Sequence, residues 1–476
     1  MRSLALLLAL AACGSDSEIC DADALVRALD EASPGDVVRV GDCAMEGAFV
    51  VPGGVVLEGT AEGSELSGEV VVDLAADATL RALRIRSREL GVVLRGAGTR
   101  TLESIELVPT RGAGVALTDA TLVARGLVVR GPVVDPDDPA WVRVAGFRPT
   151  GPCPADGVCE CEPGALRDDE VCDEEGAWAR FTAVYGIYAR RSTLTLDDVT
   201  VSDFATAGAV LDGSTTAWTN GEVTGNLGLG VLVRGGAAEL EALRITNTAE
   251  GLRGLASYAL ASTDATLDGT ALSLRNNDRY GVLVRGGEGT LVDFVAEDQG
   301  DVALWLTGTT RFSVEGDSRI ERAAFAGVVA SEADDVTLDN LRVAQTRSIT
   351  RTLGSLFGAQ TLGDGIHLSA TPNATLRGVT LEGHARVGLL VDLAGGTPRF
   401  ENVSVDATAE GFGAVGGSRA AGDLTSDGPG TWDVGIVRSA LAATRDAAAL
   451  GERFDAVGLA LPAGANESVG IVFPMF

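Results

Sequence analysis

Short runs of alternating apolar and polar residues fill most of this chain, and a glycine opens most of these runs. The clearest stretch lies between Gly186 and Gly235, where units begin at residues 186, 208 and 230, a step of 22 residues. Each unit continues with apolar residues, a polar corner, a leucine-led strand and a short polar turn. The same start recurs at Gly91, Gly114, Tyr258, Gly281, Ala303, Gly327, Gly365, Gly388 and Gly411.

A repeat of this length made of strand-like pieces is typical of a solenoid. The apolar positions alternate with a period of two, which excludes helical repeats. Leu80 and Leu240 fall on the buried side of their strands, whereas Arg81 and Glu241 fall on the side that faces water. The pattern therefore predicts an all-β fold, a right-handed parallel β-helix solenoid with a short N-terminal capping helix.

The capping helix is predicted over residues 21–32, where Leu25 and Leu29 share one face and Pro34 ends the helix. The segment after it, from VVRV to AFVVPGGVVLEG, resembles the N-terminal cap and first coil of pectate-lyase-like β-helix proteins. The resemblance implies that the helix closes one end of the solenoid, where the first strand would otherwise be an exposed edge.

The first twelve residues indicate export. Arg2 precedes an apolar run that is too short to span a membrane. The run ends in Leu-Ala-Ala-Cys at Cys13, which resembles the lipobox of bacterial lipoproteins. This resemblance implies acylation of Cys13, hence a membrane partner through a lipid anchor, and Gly14 favours the outer membrane or cell surface. An ordinary signal peptide with a chance cysteine is the alternative.

The cysteines also suit an exported protein. The chain has 7 cysteines, and those other than Cys13 form an even set that suits disulfides outside the cytosol. Cys20 and Cys43 bracket the predicted cap and could pair. We expect the remaining four to staple a loop, with a binding module as the alternative, because export disfavours the reduced thiolates that a zinc site needs. We predict no metal site and no cofactor. These four are Cys153, Cys159, Cys161 and Cys172.

Three insertions interrupt the period, at 132–184, 246–257 and 344–364, all at one phase of the repeat. Insertions at one phase emerge along one edge of a solenoid. We therefore divide the chain as follows: signal peptide 1–12, linker and cap 13–45, coils 46–131, Cys-rich insertion 132–184, coils 185–431 and C-terminal cap 432–476. The formal net charge of −30, with every base an arginine, argues against a nucleic-acid partner.

The outward positions of the glycine-led strands are unexpectedly apolar, and two explanations remain open. Either insertions or a partner cover this stripe, or it is a binding face on which rings stack against sugars. Charged residues four positions after the glycine would then bind polar groups. The predicted ligand-binding residues are Tyr188, Trp305, His367, Arg190, Arg234, Arg285, Asp212 and Asp392.

One coil carries candidate catalytic chemistry. GDGIHL at 363–368 is similar to the Asp-Gly-Ile motif of polygalacturonase-type glycosidases, which implies a catalytic Asp364 beside His367. Those enzymes place two aspartates one coil later, where this chain has Ala385 and Arg386, so the second carboxyl of a hydrolase is missing. His384 falls in the turn that elsewhere holds asparagines, which favours a turn residue over a base.

These observations predict an exported, lipid-anchored surface protein that binds a polysaccharide or cell-surface glycan without catalysis, or acts as an adhesive module. The alternative is a polysaccharide lyase or glycoside hydrolase that uses Asp364, His367 and Arg386. A purely structural protein is the third interpretation.

Overall fold

The computed structural model describes residues 18–60, 63–110, 112–132, 185–250, 257–352, 359–385, 388–392 and 399–405, and short strands at 148–149, 166–167, 170–172, 178–180, 421–426 and 434–437. The chain folds as a right-handed parallel β-helix of about 12 turns, as predicted. The described part contains one helix, Ala22–Glu31.

Each coil contributes strands to three parallel sheets, which we call the first, second and third sheet in chain order. Separate strands of the first sheet, which hold the glycine-led runs, are Phe49–Val51, Ala113–Thr118, Tyr185–Arg190, Tyr258–Thr263, Tyr280–Arg285, Val302–Thr307, Ala326–Ser331, Asp364–Ser369, Leu389–Asp392 and Val434–Val437. Those of the second sheet are Val37–Arg39, Val56–Glu58, Thr79–Arg81, Thr99–Glu103, Thr121–Arg125, Thr193–Asp197, Thr266–Thr270, Glu288–Val292, Arg311–Glu315, Asp335–Asp339 and Asn373–Arg377.

The strands of the third sheet are Ala44–Glu46, Glu106–Pro109, Val128–Arg130, Thr200–Ser202, Glu222–Thr224, Arg244–Thr246, Ser273–Arg275, Val295–Glu297, Ser318–Glu321, Leu341–Ala344 and Thr380–Glu382. Six longer strands continue from one sheet into the next: Glu65–Leu74, Arg84–Arg95, Ala207–Thr219, Leu229–Glu241, Arg399–Val405 and Ala421–Ser426. The first and third insertions contain antiparallel strands of their own: Arg148–Pro149, Leu166–Arg167, Glu170–Cys172 and Trp178–Arg180, then Ile349–Thr352 and Ala359–Leu362.

The predicted leucine-led strand is in fact two strands with a sharp bend between them. Ala82 forms the bend between Thr79–Arg81 and Arg84–Arg95, and its φ is +52°. Asn220 and Ala242 take the same left-handed conformation in later coils. A single residue at positive φ turns the chain and starts a new strand, so the coil has three sides and not two.

The core is a column of stacked aliphatic residues inside the coils. Leu194, Leu196, Val199 and Val201 of one coil are all at most 1 % exposed. The register continues across the first insertion, because Val128 pairs with Thr200. The predicted burial of one side of the leucine-led strands is therefore confirmed.

A glycine is the second residue of most first-sheet strands because there is no room for a side chain at that position. A Cβ atom on Gly208 would lie 2.7 Å from the carbonyl oxygen of Gly230 and 3.0 Å from the side-chain nitrogen of Asn226. Asn226 lies in the turn that ends the same coil. The glycine column thus makes space for a buried turn residue.

The helix caps the N-terminal end as predicted. Asp21 accepts a hydrogen bond from the backbone of Ala24 at its first turn, and Leu25 and Leu29 are buried against the core. Cys20 and Cys43 form a disulfide, which confirms this predicted pair.

Candidate functional site

Two rows of side chains run along the outer face of the first sheet. One row is the residue before each glycine, and the other is the second residue after it. Tyr185 and Tyr188 occupy both rows in one coil, and their ring centroids are 5.4 Å apart. The two rows therefore lie side by side and form one surface, which we call the outer stripe.

In the middle coils the outer stripe is buried. Trp305 is 4 % exposed, and Tyr258 stacks on Tyr280 with ring centroids 4.8 Å apart. Ile349, from the third insertion, packs against these residues. Of the two explanations for the apolar stripe, burial under another part of the chain therefore applies in these coils. Trp305 is not accessible to a sugar. This covered cluster consists of Tyr258, Ala261, Tyr280, Leu283, Val302, Trp305, Phe325, Ala326 and Val329.

In the coil after the covered cluster, the outer stripe has the polar residues Asp364 and His367. Asp364 is the neighbour of Ala326 across the sheet, and His367 is the neighbour of Val329. Asp364 is fully buried and His367 is 1 % exposed. A carboxyl group and an imidazole thus continue the two rows where earlier coils have apolar side chains. The structure places these two predicted residues together but away from solvent.

His384 approaches the same coil from the turn that follows it. It continues a buried row of turn residues that includes Asn226, Thr248, Asn277, Gln299, Ala323 and Thr346. His384 is 1 % exposed, so its interpretation as a turn residue agrees with its place. Its Nε2 lies 2.7 Å from the position of a Cβ atom on Gly365, which puts the ring beside the residue that follows Asp364.

The environment of His384 keeps its imidazole neutral. Burial lowers its pKa to about 4, and the nearby Asp364 carboxylate opposes this shift. Thr346 Oγ1 lies 2.9 Å from Nδ1 of His384 and donates a hydrogen bond of 2.8 Å to the carbonyl oxygen of Gly363. The chain has 2 histidines, and both therefore lie around Asp364.

A charged group at the edge of the covered cluster was not predicted from the sequence. Asp301 is 3 % exposed and lies 3.5 Å from the guanidinium of Arg279. That guanidinium also lies 5.5 Å from the ring centroid of Tyr280 and 3.7 Å from Glu250. An aspartate in a polar turn gave no signal of burial, because most such residues face water.

The outer stripe is accessible at Tyr188, whose ring is half-buried. Beside it, Arg234 donates a hydrogen bond of 3.0 Å to Asp212, and this contact holds the pKa of the Asp212 carboxyl below its usual value. Arg190 is the cross-strand neighbour of Asp212 and is exposed. The predicted row of charges four positions after the glycine is therefore present. We call Tyr185, Tyr188, Arg190, Asp212 and Arg234 the exposed patch.

Other predicted residues fall elsewhere. Arg285 is exposed in the same row of charges. The backbone of Asp392 pairs with Ser369 in the next coil. Several predictions lie outside the described residues: Arg386, the lipidation site Cys13, Cys153, Cys159, Cys161 and the predicted C-terminal cap apart from the strand at 434–437. Cys172 is described as part of a strand only.

Within the described residues, His, Cys, Asp and Glu do not gather in a group of three that could hold a metal ion. In the same part of the chain, no helix has the length and apolar character needed to cross a membrane.

Comparison with known proteins finds matches among solved structures. No protein-family model and no curated protein matches the chain. Among solved structures, a periplasmic alginate epimerase AlgG mutant covers 87 % of this chain and 84 % of its own, at 10 % identity and a TM-score of 0.33. The catalytic domain of a GH87 α-1,3-glucanase covers 82 % and 63 %, at 9 % identity and a TM-score of 0.29. The A-module of the Azotobacter vinelandii mannuronan C-5 epimerase AlgE6 covers 86 % and 95 %, at 11 % identity and a TM-score of 0.28.

Proposed function

We propose that the protein is an exported β-helix enzyme that processes a polysaccharide by acid–base chemistry at Asp364 and His367. One observation carries this proposal: both histidines of the chain lie around one buried carboxylate. Burying a carboxylate and two imidazoles costs stability unless they are partnered or used. Clusters of buried titratable groups are characteristic of active sites.

The available groups suit elimination better than hydrolysis. Inverting or retaining hydrolysis uses a pair of carboxyl groups across the scissile bond. In the described residues Asp364 has imidazoles beside it, and the other buried carboxylate, Asp301, is engaged by Arg279. In elimination, a base removes the proton next to a uronic carboxyl group, the glycosidic C–O bond breaks, and an acid protonates the leaving oxygen. We assign the base to Asp364 and the acid to His367.

The polymer reaches these groups only when the residues that cover them are displaced, because both side chains are buried. A rod that repeats the same chemical groups at each coil suits a linear polymer. Successive strands of a sheet lie about 4.8 Å apart, so one sugar spans roughly one coil along the rod. Arg386, which the sequence analysis names with Asp364 and His367 as a candidate catalytic residue, lies outside the described residues.

Product analysis tests this function. The purified protein is incubated with a panel of uronic-acid polysaccharides, and unsaturated products are measured by ultraviolet absorbance and mass spectrometry. We expect Asp364→Asn and His367→Gln to lower turnover by about 10²–10⁴-fold. Asp335→Asn, on the second sheet, is the matched control and should retain turnover. A folded wild type that releases no product from any polysaccharide rejects the enzyme.

Non-catalytic glycan binding is the second candidate, and the exposed patch favours it. Tyr185 and Tyr188 are half-buried rings 5.4 Å apart, next to the Arg190 and Asp212 side chains. Rings that sugars can stack on, with charged hydrogen-bonding groups beside them, suit carbohydrate recognition. Binding on a glycan array that Tyr188→Ala weakens, without product release, would support this candidate instead.

We also propose that the mature protein is anchored through a lipid on Cys13. The Cys20–Cys43 disulfide supports an oxidising compartment, and the lipobox-like segment precedes it directly. Cys13→Ser protein should leave the membrane fraction and fail to incorporate labelled palmitate. A variant that stays in the membrane fraction like wild type contradicts the lipid anchor.

A further inference from the structure

Two side chains hold the chain on both sides of Asp364. Thr346 Oγ1 donates a hydrogen bond of 2.8 Å to the carbonyl oxygen of Gly363, the residue before Asp364. The His384 ring lies against Gly365, the residue after it. Thr346 and His384 also contact each other at 2.9 Å. The backbone that carries the carboxylate is thus fixed from inside the solenoid.

The hydrogen bonds determine which imidazole nitrogen carries the proton. A threonine hydroxyl has one hydrogen, and the Gly363 carbonyl can only accept. Both contacts of Thr346 are therefore satisfied only when Nδ1 of His384 is the donor. The ring is then the neutral Nδ1–H tautomer, and Nε2 keeps its lone pair. Burial of the ring disfavours a second proton, because it lowers the pKa of His384.

Other coils use the same turn position differently. Asn226 accepts a hydrogen bond from the backbone of Phe204, and Asn277 accepts one from the backbone of Thr248. Those contacts join one turn to the turn of the preceding coil. The contact of Thr346 with Gly363 instead reaches the start of a first-sheet strand. A purely packing role for the turn would not need this connection.

We propose that Thr346 and neutral His384 are positioning residues that fix the peptide segment 363–365 and thereby orient the Asp364 carboxylate towards the outer stripe. This inference rests on the proposed function, since it assigns a purpose to the orientation of Asp364. Neither residue touches the substrate, because both face the inside of the coil.

Nuclear magnetic resonance of protein labelled with ¹⁵N in histidine tests the tautomer without any substrate. With 2 histidines in the chain, His384→Asn assigns both sets of ring signals. We expect His384 as the Nδ1–H tautomer, unchanged through neutral pH. Observation of the Nε2–H tautomer, or of an imidazole that gains its second proton near the ordinary pKa of about 6.5, overturns the proposal.

Hydrogen exchange and kinetics test the positioning itself. Thr346→Val removes the hydroxyl. Thr248→Val is the matched control in the same row of turn residues, because Oγ1 of Thr248 has no hydrogen-bond partner among the residues that the structure describes. We expect faster amide exchange in a peptide covering 363–368 for Thr346→Val only. We also expect its kcat to fall by about 10²-fold at unchanged KM, the effect of a small misplacement of a reacting group.

The conservative variant His384→Asn should retain more turnover than His384→Ala, because an amide can still donate to Thr346. If Thr346→Val and Thr248→Val show the same amide exchange in 363–368 and the same kcat, Thr346 and His384 do not position Asp364. If wild type shows no turnover, the proposed function fails. In that case amide exchange in 363–368 of Thr346→Val still tests whether Thr346 and His384 fix this segment. Faster exchange than in wild type supports the proposal, and unchanged exchange rejects it.

Discussion

Nε2 of His384 lies 2.7 Å from the point where a Cβ atom would stand on Gly365. An added methyl group would collide with the ring and with the carbonyl oxygen of Gly388, and overpacking of this kind costs about 1–3 kcal/mol. We therefore expect Gly365→Ala to lower the free energy of unfolding by about that amount, as measured by chemical denaturation. The loss should be smaller when His384→Ala is also present.

A double-mutant cycle separates this contact from other effects of the added methyl group. Two coils carry alanine at the position of Gly365: Ala303, whose turn residue is Ala323, and Ala259, whose turn residue is Asn277. Alanine is therefore accommodated when the turn residue is smaller than histidine. A coupling energy of about 0.5 kcal/mol or more between the two changes is expected for residues in contact. Additive effects would show that the collision lies elsewhere, at the backbone of the next coil.

Trp305 and Tyr188 occupy the same outward row but should respond differently to truncation. Trp305 is 4 % exposed, so Trp305→Ala should lower the free energy of unfolding by about 3–5 kcal/mol. Tyr188 is half-buried, and Tyr188→Ala should cost clearly less. Thermal unfolding of both variants measures the difference. Equal melting temperatures for the two variants would contradict the burial of the covered cluster.

The fold could be predicted because its signal repeats. Leucines such as Leu80 and Leu240 mark the buried side once per coil, and the same positions are buried in every coil described. The bend at Ala82 could not be predicted, since alanine rarely takes a positive φ and gives no turn signal. The sequence therefore indicated two strands per coil where the structure has three.

The site was less predictable because its contacts depend on the insertions and on distant turns. Alternation places Trp305 on the outside of its sheet, but it cannot show that another part of the chain covers that side. Thr346 and His384 are 38 residues apart, and Thr346 lies within the third insertion. Asp364 and His367 could be found because an aspartate before the glycine departs from the apolar residues of that row.

The free energy of unfolding should depend on pH through the protonation of His384. Its pKa is about 4 in the folded protein, below the ordinary 6.5, so the unfolded chain binds a proton that the folded chain does not. The free energy of unfolding is therefore unaffected by His384 above about pH 6.5. It falls by about 1.4 kcal/mol per pH unit through this residue as the pH decreases from about 6.5 towards about 4. His384→Asn should show a shallower fall of unfolding free energy between about pH 7 and about pH 5.

Comparison with the variant isolates His384 and its interaction with Asp364, because the carboxylates remote from His384 contribute equally to both proteins. Asp119 and Asp212 have pKa values lowered by their arginine partners, so their own contribution is lost at lower pH. Identical pH profiles for wild type and His384→Asn would mean that His384 titrates normally in the folded state.

The Cys20–Cys43 disulfide should stabilise the cap and with it the first coils. Its sulfurs join residues 23 positions apart, and a cross-link of this span contributes about 3 kcal/mol by restricting the unfolded chain. We expect the Cys20→Ser, Cys43→Ser double variant to unfold at lower denaturant concentration than wild type under oxidising conditions. A reductant should bring wild type down to the level of the variant. Any further loss that the reductant causes in the variant itself would come from the cysteines of the first insertion, whereas equal stability of oxidised wild type and variant would show that the cap does not depend on this bond.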